Sequence, residues 1–280
     1  METPHVERLP RFRQTSLHSL KRRVGLALRR HLLGRFVPEK QVRLIQIGGA
    51  RCKRVTVADT WTATQMARNL ERFRSHRMFP VLIAQSGNEL LLEYVAGRPL
   101  GAPLDATDCD LLADFFAVLY AQDRHAVDIR GSGFAETLLR DLAFLAEVGV
   151  LEAGALPDLT RAAEALTPAQ VYVGHDYLDP LSRNFVVTPE GRLVAIDIEA
   201  LLPNQLLGSG VAKAALRMPG ANREQLLARV RRTAGLDLTR VLPFVELAVL
   251  ADWTKRALLK GRHKLVQPEL FEPYRRRGVR

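Results

Sequence analysis

Residues 42–47 and 54–58 form two short β-type runs, and Gly48-Gly49-Ala50 between them reads as a hairpin or a glycine turn. A helix is expected next, capped by Thr60 or Thr62, with Met66, Leu70 and Phe73 on its apolar face. Residues 81–84 and 89–93 read as a further strand pair around Ser86-Gly87-Asn88, and 95–99 as a linker. Beyond Pro99 the apolar positions fall three or four apart, which predicts helices over 108–122, 135–147 and 159–166. A β-rich island then interrupts them at 171–173, 185–187 and 193–196, with Thr188-Pro189-Glu190-Gly191 as a turn, before helical spacing resumes over 224–232 and 242–259. At the other end, residues 16–34 place Leu17, Leu20, Val24, Leu28 and Leu32 on one face, with Lys21, Arg22, Arg23, Arg29 and Arg30 largely off it. That is a basic amphipathic helix, suited either to an anionic membrane surface or to docking on its own protein.

The pattern is that of a soluble globular chain, with no apolar run long enough for a membrane span and no apolar core of a secretory signal at the start. The expected location is the cytoplasm, with a peripheral position on the inner face of a membrane left open by the basic arm. The formal charge of +11 is concentrated in the first 80 residues and in the tail from Tyr274, so the ends call for an anionic neighbour. No nucleic-acid-binding motif accompanies them, and nucleic acid is not the expected partner. Cys52 and Cys109 lie far apart with no metal-type spacing, which supports neither a disulfide framework nor a zinc site.

The chemistry concentrates between His175 and Glu199, where polar residues stand at the ends of short apolar runs. Asp179 precedes Asn184 by five positions in an irregular stretch, and Asp197 ends the run that returns from the Gly191 turn. Phosphoryl transfer needs a carboxylate beside the attacking hydroxyl, an amide oxygen on magnesium and a second carboxylate on the metal, and these three residues are candidates for all three. A carboxylate closing an apolar run is costly unless a cation or hydrogen bonds meet it, which singles out Asp197.

With these residues the chain resembles the aminoglycoside phosphotransferase and choline kinase group of the protein-kinase-like superfamily. In that group a His-x-Asp-x-x-x-x-Asn motif is followed by a β-hairpin and an Ile-Asp element; Asn184, Val186-Val187, the Gly191 turn and Ile196-Asp197-Ile198-Glu199 match in order and spacing. Phe79-Pro80-Val81-Leu82 and 91–97 resemble the group's fourth strand and hinge. The resemblance implies an α+β, two-lobed protein-kinase-like fold: a basic arm over 1–40, a small β-rich nucleotide-binding lobe over 41–97, and a mostly helical catalytic and acceptor lobe over 98–280. It implies Asp179 as the catalytic carboxylate, Asn184 and Asp197 as magnesium ligands, and Glu93, Tyr94 and Val95 as the strand facing adenine, with ATP and Mg2+ bound between the lobes.

Two departures accompany the match. The histidine expected two positions before the catalytic aspartate is Tyr177, and His175 precedes Asp176 instead, so either Asp179 or Asp176 is the working carboxylate; the spacing to Asn184 favours Asp179. No Val-Ala-x-Lys strand is evident. If the first two runs are the group's second and third strands, Lys53 supplies the lysine and Glu71 its partner; if they are the first and second, Gly48-Gly49 covers the phosphates and Asp59 stands near the lysine's place. The expected activity is ATP- and magnesium-dependent phosphoryl transfer to a hydroxyl of a small or lipid-linked molecule. The alternative is a catalytically weak kinase-like module that binds nucleotide or serves as a scaffold. No Ala-Pro-Glu element follows Asp197, which argues against a protein acceptor.

Overall fold

The computed structural model describes residues 40–152 and 154–278, so the basic arm expected over 16–34 lies outside the described residues. These residues form two compact units: residues 40–97 together with Val194–Ile198, and residues 98–193 together with 199–278. The first is built on a sheet, whereas the second is mostly helical, which is the mixed α/β character the sequence implies.

In the first unit β1 (Gln41–Ile47) and β2 (Ala50–Thr56) form an antiparallel hairpin in which Ile47 is opposite Ala50. The register leaves Gly48-Gly49 as a two-residue loop, and their φ values of 57° and 83° are both in the left-handed region. Loops of this kind follow the right-handed twist of the strands but need positive φ at both positions, which is why glycines stand there. Helix α1 (Thr60–Arg72) begins at Asp59, whose Oδ1 accepts a hydrogen bond from the Thr62 backbone N–H at 2.7 Å. Asp59, rather than Thr60 or Thr62, is therefore the cap: an aspartate oxygen reaches the exposed N–H groups of the first turn, and Thr62 instead donates its hydroxyl to the same carboxylate at 3.0 Å. Strands β3 (Leu82–Ser86) and β4 (Glu89–Glu93) close a four-stranded sheet of order β1-β2-β4-β3. Leu90 and Leu92 on the inner strand β4 are fully buried, and Ala63, Met66 and Leu70 of α1 are buried with them.

The second unit opens with β5 (Arg98–Pro99), where the sequence predicts a linker, and continues with α2 (Ala106–Gln122), which is capped by Asp105. Strand β6 (Arg124–Asp128), the short helix α3 (Ile129–Ser132), α4 (Phe134–Glu147) and α5 (Ala155–Leu166) follow. Strand β7 (Gln170–Tyr177) runs on well past the expected residues 171–173 and takes in His175 and Asp176, pairing on one side with β6 and on the other with β10 (Leu201–Leu206). β6 and β10 went unpredicted because Arg124-His125 and Pro203-Asn204-Gln205 break the apolar alternation on which a strand assignment rests. β8 (Phe185–Val187) pairs antiparallel with β5, and β9 (Leu193–Ala195) leads the chain back into the first unit. Helices α6 (Ser209–Arg217), α7 (Arg223–Ala234), α8 (Leu242–Leu259) and α9 (Glu272–Gly278) complete the unit, with α7 against α2 and α8 against α4 and α6.

The core around β7 is aromatic. Phe115 meets Phe116, Tyr177 and Phe185 edge-on at centroid separations of 5.5, 5.6 and 5.2 Å, the geometry in which positive ring edges face negative ring faces. Tyr177 and Phe185 flank the loop that carries Asp179 and Asn184, so burial of both rings anchors the two ends of that loop.

Candidate functional site

The first unit brings Lys53 and Asp197 together from 144 positions apart in sequence. Lys53 sits in the middle of β2, opposite Leu92 of β4, and its Nζ donates to the Ile196 carbonyl at 2.7 Å, the peptide that leads directly into Asp197. The Ala195 backbone N–H donates to the Met78 carbonyl at 3.0 Å, which ties this segment to the body of the unit. Asp197 is not enclosed: its side chain is 31% exposed and forms an ion pair with Lys40, Nζ to Oδ1 2.9 Å. Partial exposure to water and the Lys40 ammonium together relieve the cost expected of a carboxylate that closes an apolar run.

The other expected nucleotide residues are more scattered. Glu71 projects from the last turn of α1 and bonds to Arg74 at 3.3 Å, whereas Lys53 bonds to the Ile196 carbonyl. Glu93 ends β4, with its backbone N–H donating to the Val81 carbonyl at 2.9 Å and its carboxylate accepting from the Val81 N–H at 3.3 Å. Tyr94 and Val95 follow it, half-buried, outside the ladder.

In the second unit Asp179 and Asn184 share one short loop. The Asn184 amide nitrogen donates twice, to the Asp179 backbone carbonyl at 2.8 Å and to Oδ2 at 3.0 Å. With both amide hydrogens directed at Asp179, the Asn184 oxygen Oδ1 is turned away from that carboxylate. Oδ1 of Asp179 accepts from Arg217 Nη1 at 2.9 Å, and the Arg217 guanidinium lies over the Trp253 ring at 5.9 Å. Arg217 was not singled out from sequence. It lies 38 positions from Asp179, and Gly208-Ser209-Gly210 before it masks the start of α6, so no local spacing links the two.

Asp176 lies three positions before Asp179 in an entirely different setting. Its carboxylate is fully buried and accepts from the Tyr120 hydroxyl at 2.9 Å, the Tyr177 N–H at 2.7 Å and the Gly210 N–H at 2.9 Å. Burial pushes its pKa up to about 6, against the pull of those three donors and of Lys213. Any side chain at residue 210 would put a Cβ 2.5 Å from the Asp176 Oδ1, so glycine is what lets the first turn of α6 approach the carboxylate. Tyr177, two positions before Asp179, is buried in the aromatic core, and His175 pairs through Nδ1 with Asp123 Oδ2 at 2.5 Å.

The donors suit a hard cation. Magnesium takes oxygen ligands: in the first unit the Asp197 carboxylate offers them and is paired with the Lys40 ammonium, and in the second unit the Asn184 amide oxygen is free of the Asp179 carboxylate that its nitrogen holds. Among the described residues no cluster of three or more His, Cys, Asp or Glu side chains forms a metal cage. A magnesium ion bound chiefly by water and phosphate oxygens, with one or two protein ligands, needs none.

No family model matches the sequence, and no curated protein matches it. Solved structures do match. The choline kinase LicA of Streptococcus pneumoniae covers 93% of this chain and 98% of its own at 15% identity with a TM-score of 0.55. The macrolide 2'-phosphotransferase MphH of Brachybacterium faecium covers 87% and 94% at 15% identity with a TM-score of 0.57. A thermostable aminoglycoside phosphotransferase APH(4)-Ia, in ternary complex with ADP and hygromycin B, covers 88% and 91% at 14% identity with a TM-score of 0.57. At such identities the likeness is one of fold, and the fold of this chain is the protein-kinase-like fold that these structures share.

Proposed function

We propose that the protein is a phosphotransferase that moves the terminal phosphoryl group of ATP to a hydroxyl of a small or lipid-linked molecule. The observation that carries this reading is the Lys53 ammonium at 2.7 Å from the carbonyl that precedes Asp197. A lysine for the phosphates and a carboxylate for the metal, far apart in sequence, are the pair that nucleotide-dependent phosphoryl transfer requires side by side. The matched solved structures are named as choline, macrolide and aminoglycoside phosphotransferases, one of them with ADP bound, and they favour the same chemistry and the same class of acceptor.

In this reading Lys53 neutralises phosphate oxygens, and the backbone of Glu93, Tyr94 and Val95 meets the adenine. Asp197 and Asn184 are the magnesium ligands, and the metal supplies charge neutralisation of the phosphates. Glu71 steadies Lys53 once the nucleotide draws the ammonium away from the Ile196 carbonyl. Asp179 orients the acceptor hydroxyl and takes its proton as the new O–P bond forms; the bond from the terminal phosphorus to the bridging oxygen breaks, and ADP leaves with that electron pair. The arrangement provides positioning and charge neutralisation rather than a strong base. Residues 41–97 are the proposed nucleotide lobe and 98–280 the proposed catalytic and acceptor lobe. The proposed setting is the cytoplasm; among the described residues no helix is long and apolar enough to cross a membrane.

One observation favours the second reading, a catalytically weak nucleotide-binding module: the Lys40 ammonium stands on Asp197, where magnesium is wanted. Thermal unfolding with and without MgATP, followed by a phosphate-release assay, decides between them. A ligand at a hundred times its Kd stabilises the folded state by about 2.7 kcal/mol, so millimolar MgATP is expected to raise Tm by several degrees. Lys53→Met and Asp197→Asn are each expected to remove most of that shift. A shift with no phosphate transfer over a broad acceptor panel selects the weak module, and no shift at millimolar nucleotide sinks both readings.

A further inference from the structure

Helix α6 carries two cations one turn apart on the same face, Lys213 and Arg217, and Arg217 reaches Trp253 of α8. Arg217 is engaged by Asp179 and stacked on Trp253. Arg256 of α8 is engaged as well, its Nε donating to Asp252 Oδ1 at 2.7 Å. Lys213 differs from both: it is half-buried, and among the described residues it makes no hydrogen bond and no ion pair. Burial pushes its pKa below the ordinary lysine range; Asp252 and Asp176 oppose that shift, whereas Arg256 and Arg217 add to it.

The nearby carboxylates do not answer this ammonium, because each is already committed. Asp252 accepts from Arg256, Asp176 accepts from three donors, and Asp179 is shared by Arg217 and Asn184. A half-buried ammonium with no hydrogen bond among the described residues, one turn from the Arg217 guanidinium on the same helix face, keeps its donors free for a ligand, and an anion would offset the repulsion between the two cations. The cluster is joined to the candidate catalytic carboxylate by a direct bond, since Arg217 belongs to both.

We propose that the acceptor is an alcohol that already bears a phosphate group, and that Lys213, next to Arg217, binds this phosphate while the hydroxyl to be phosphorylated stands at Asp179. A phosphate carries between one and two negative charges and several acceptor oxygens, which suits two neighbouring cations better than a single carboxylate does. The inference rests on the phosphotransferase reading only in placing the acceptor hydroxyl at Asp179; the anion site itself stands on the side chains of one unit.

Titration calorimetry of the full chain, with the nucleotide site filled by ADP and magnesium, tests it with three probes: glycerol 3-phosphate, glycerol, and phosphatidylglycerol vesicles, which carry the same glycerol phosphate as a lipid headgroup. Glycerol 3-phosphate is expected to bind and glycerol not, and Lys213→Met is expected to weaken that binding about tenfold or more, the worth of a hydrogen bond to a charged group. Should vesicles alone bind, with the same dependence on Lys213, the acceptor phosphate is that of a lipid. Equal affinity for glycerol and its phosphate overturns the proposal without recourse to any variant, as does phosphate binding that Lys213→Met leaves intact. Phosphate binding in a protein that gives no thermal shift with MgATP leaves the anion site standing and removes the phosphotransferase reading instead.

Discussion

The end of β7 and the loop behind it carry two aspartates three positions apart, and the chain treats them in opposite ways. Asp176 is sealed from water, held by a tyrosine hydroxyl and two backbone N–H groups, with its pKa raised by burial to about 6. Asp179 is half-exposed, and its partners are side chains, Asn184 and Arg217, that can rearrange when a ligand arrives. The first carboxylate has its acceptor capacity spent on the fold: it fastens β7 to the first turn of α6 and to α2. The second keeps an accessible oxygen next to a loop and a cationic helix. In a stretch as polar as 175–184, therefore, burial and the permanence of the partners separate a structural acid from a candidate catalytic one.

The sharpest test of that contrast is turnover. Asp179→Asn is expected to lower phosphoryl transfer by about 100- to 10,000-fold, the usual worth of a positioned proton acceptor, while leaving the MgATP thermal shift in place. Its folding stability should change by less than about 1 kcal/mol, because the pair with Arg217 is partly exposed to water. If Asp176→Asn proves the more damaging to turnover at a temperature where both variants are folded, the assignment of the two residues is reversed.

A smaller effect concerns acid and the wild-type protein. The folded-state pKa of Asp176 lies above its ordinary value of 3.8, so between about pH 4 and 6 the folded protein holds a proton that the unfolded chain has lost. Over that window this group's contribution to stability is greatest on the acid side and falls as pH rises, by up to about 3 kcal/mol for a shift of this size. Urea unfolding at half-unit steps from pH 4 to 7 measures it. A contribution that rises with pH across the window would show that the hydrogen bonds, not burial, dominate at Asp176.

How much of this was legible beforehand follows from the kind of contact involved. The hairpin at Gly48-Gly49, the helix after it and the segment from Asn184 to Asp197 depend on near neighbours in the chain, and their signals are turn residues and apolar period. The sequence also names Lys53 as the nearest lysine to the required strand. It could not show that Lys53 reaches the Ile196 carbonyl, because that contact is made by a sheet strand meeting a segment 143 positions away. Strand β10 escaped because Pro203 and Asn204 interrupt it, and the register shift between Leu202 and Gln205 shows that its pairing accommodates them. Helix α6 escaped for a similar reason: its glycine-rich start reads as a loop, yet Gly210 is there so that the helix can close on Asp176. Arg217 and Lys213, the two cations of that helix, went unread with it.

The finest test exchanges one atom. Asp176→Asn preserves shape and leaves one oxygen, which can still accept from the Tyr120 hydroxyl and the Tyr177 N–H, but it puts an NH2 group opposite the Gly210 N–H. Two donors then face each other in a dry site, and an unmet buried donor costs about 1–3 kcal/mol. The aspartate carries its own cost at neutral pH, because it must be ionised there while buried; the asparagine does not. The difference in stability between the two proteins is therefore expected to be largest near pH 4, where the wild type is protonated, and to shrink as pH rises through 6. Groups that titrate alike in both proteins cancel in that difference, so a gap constant from pH 4 to 7 would show that Asp176 does not titrate in this range.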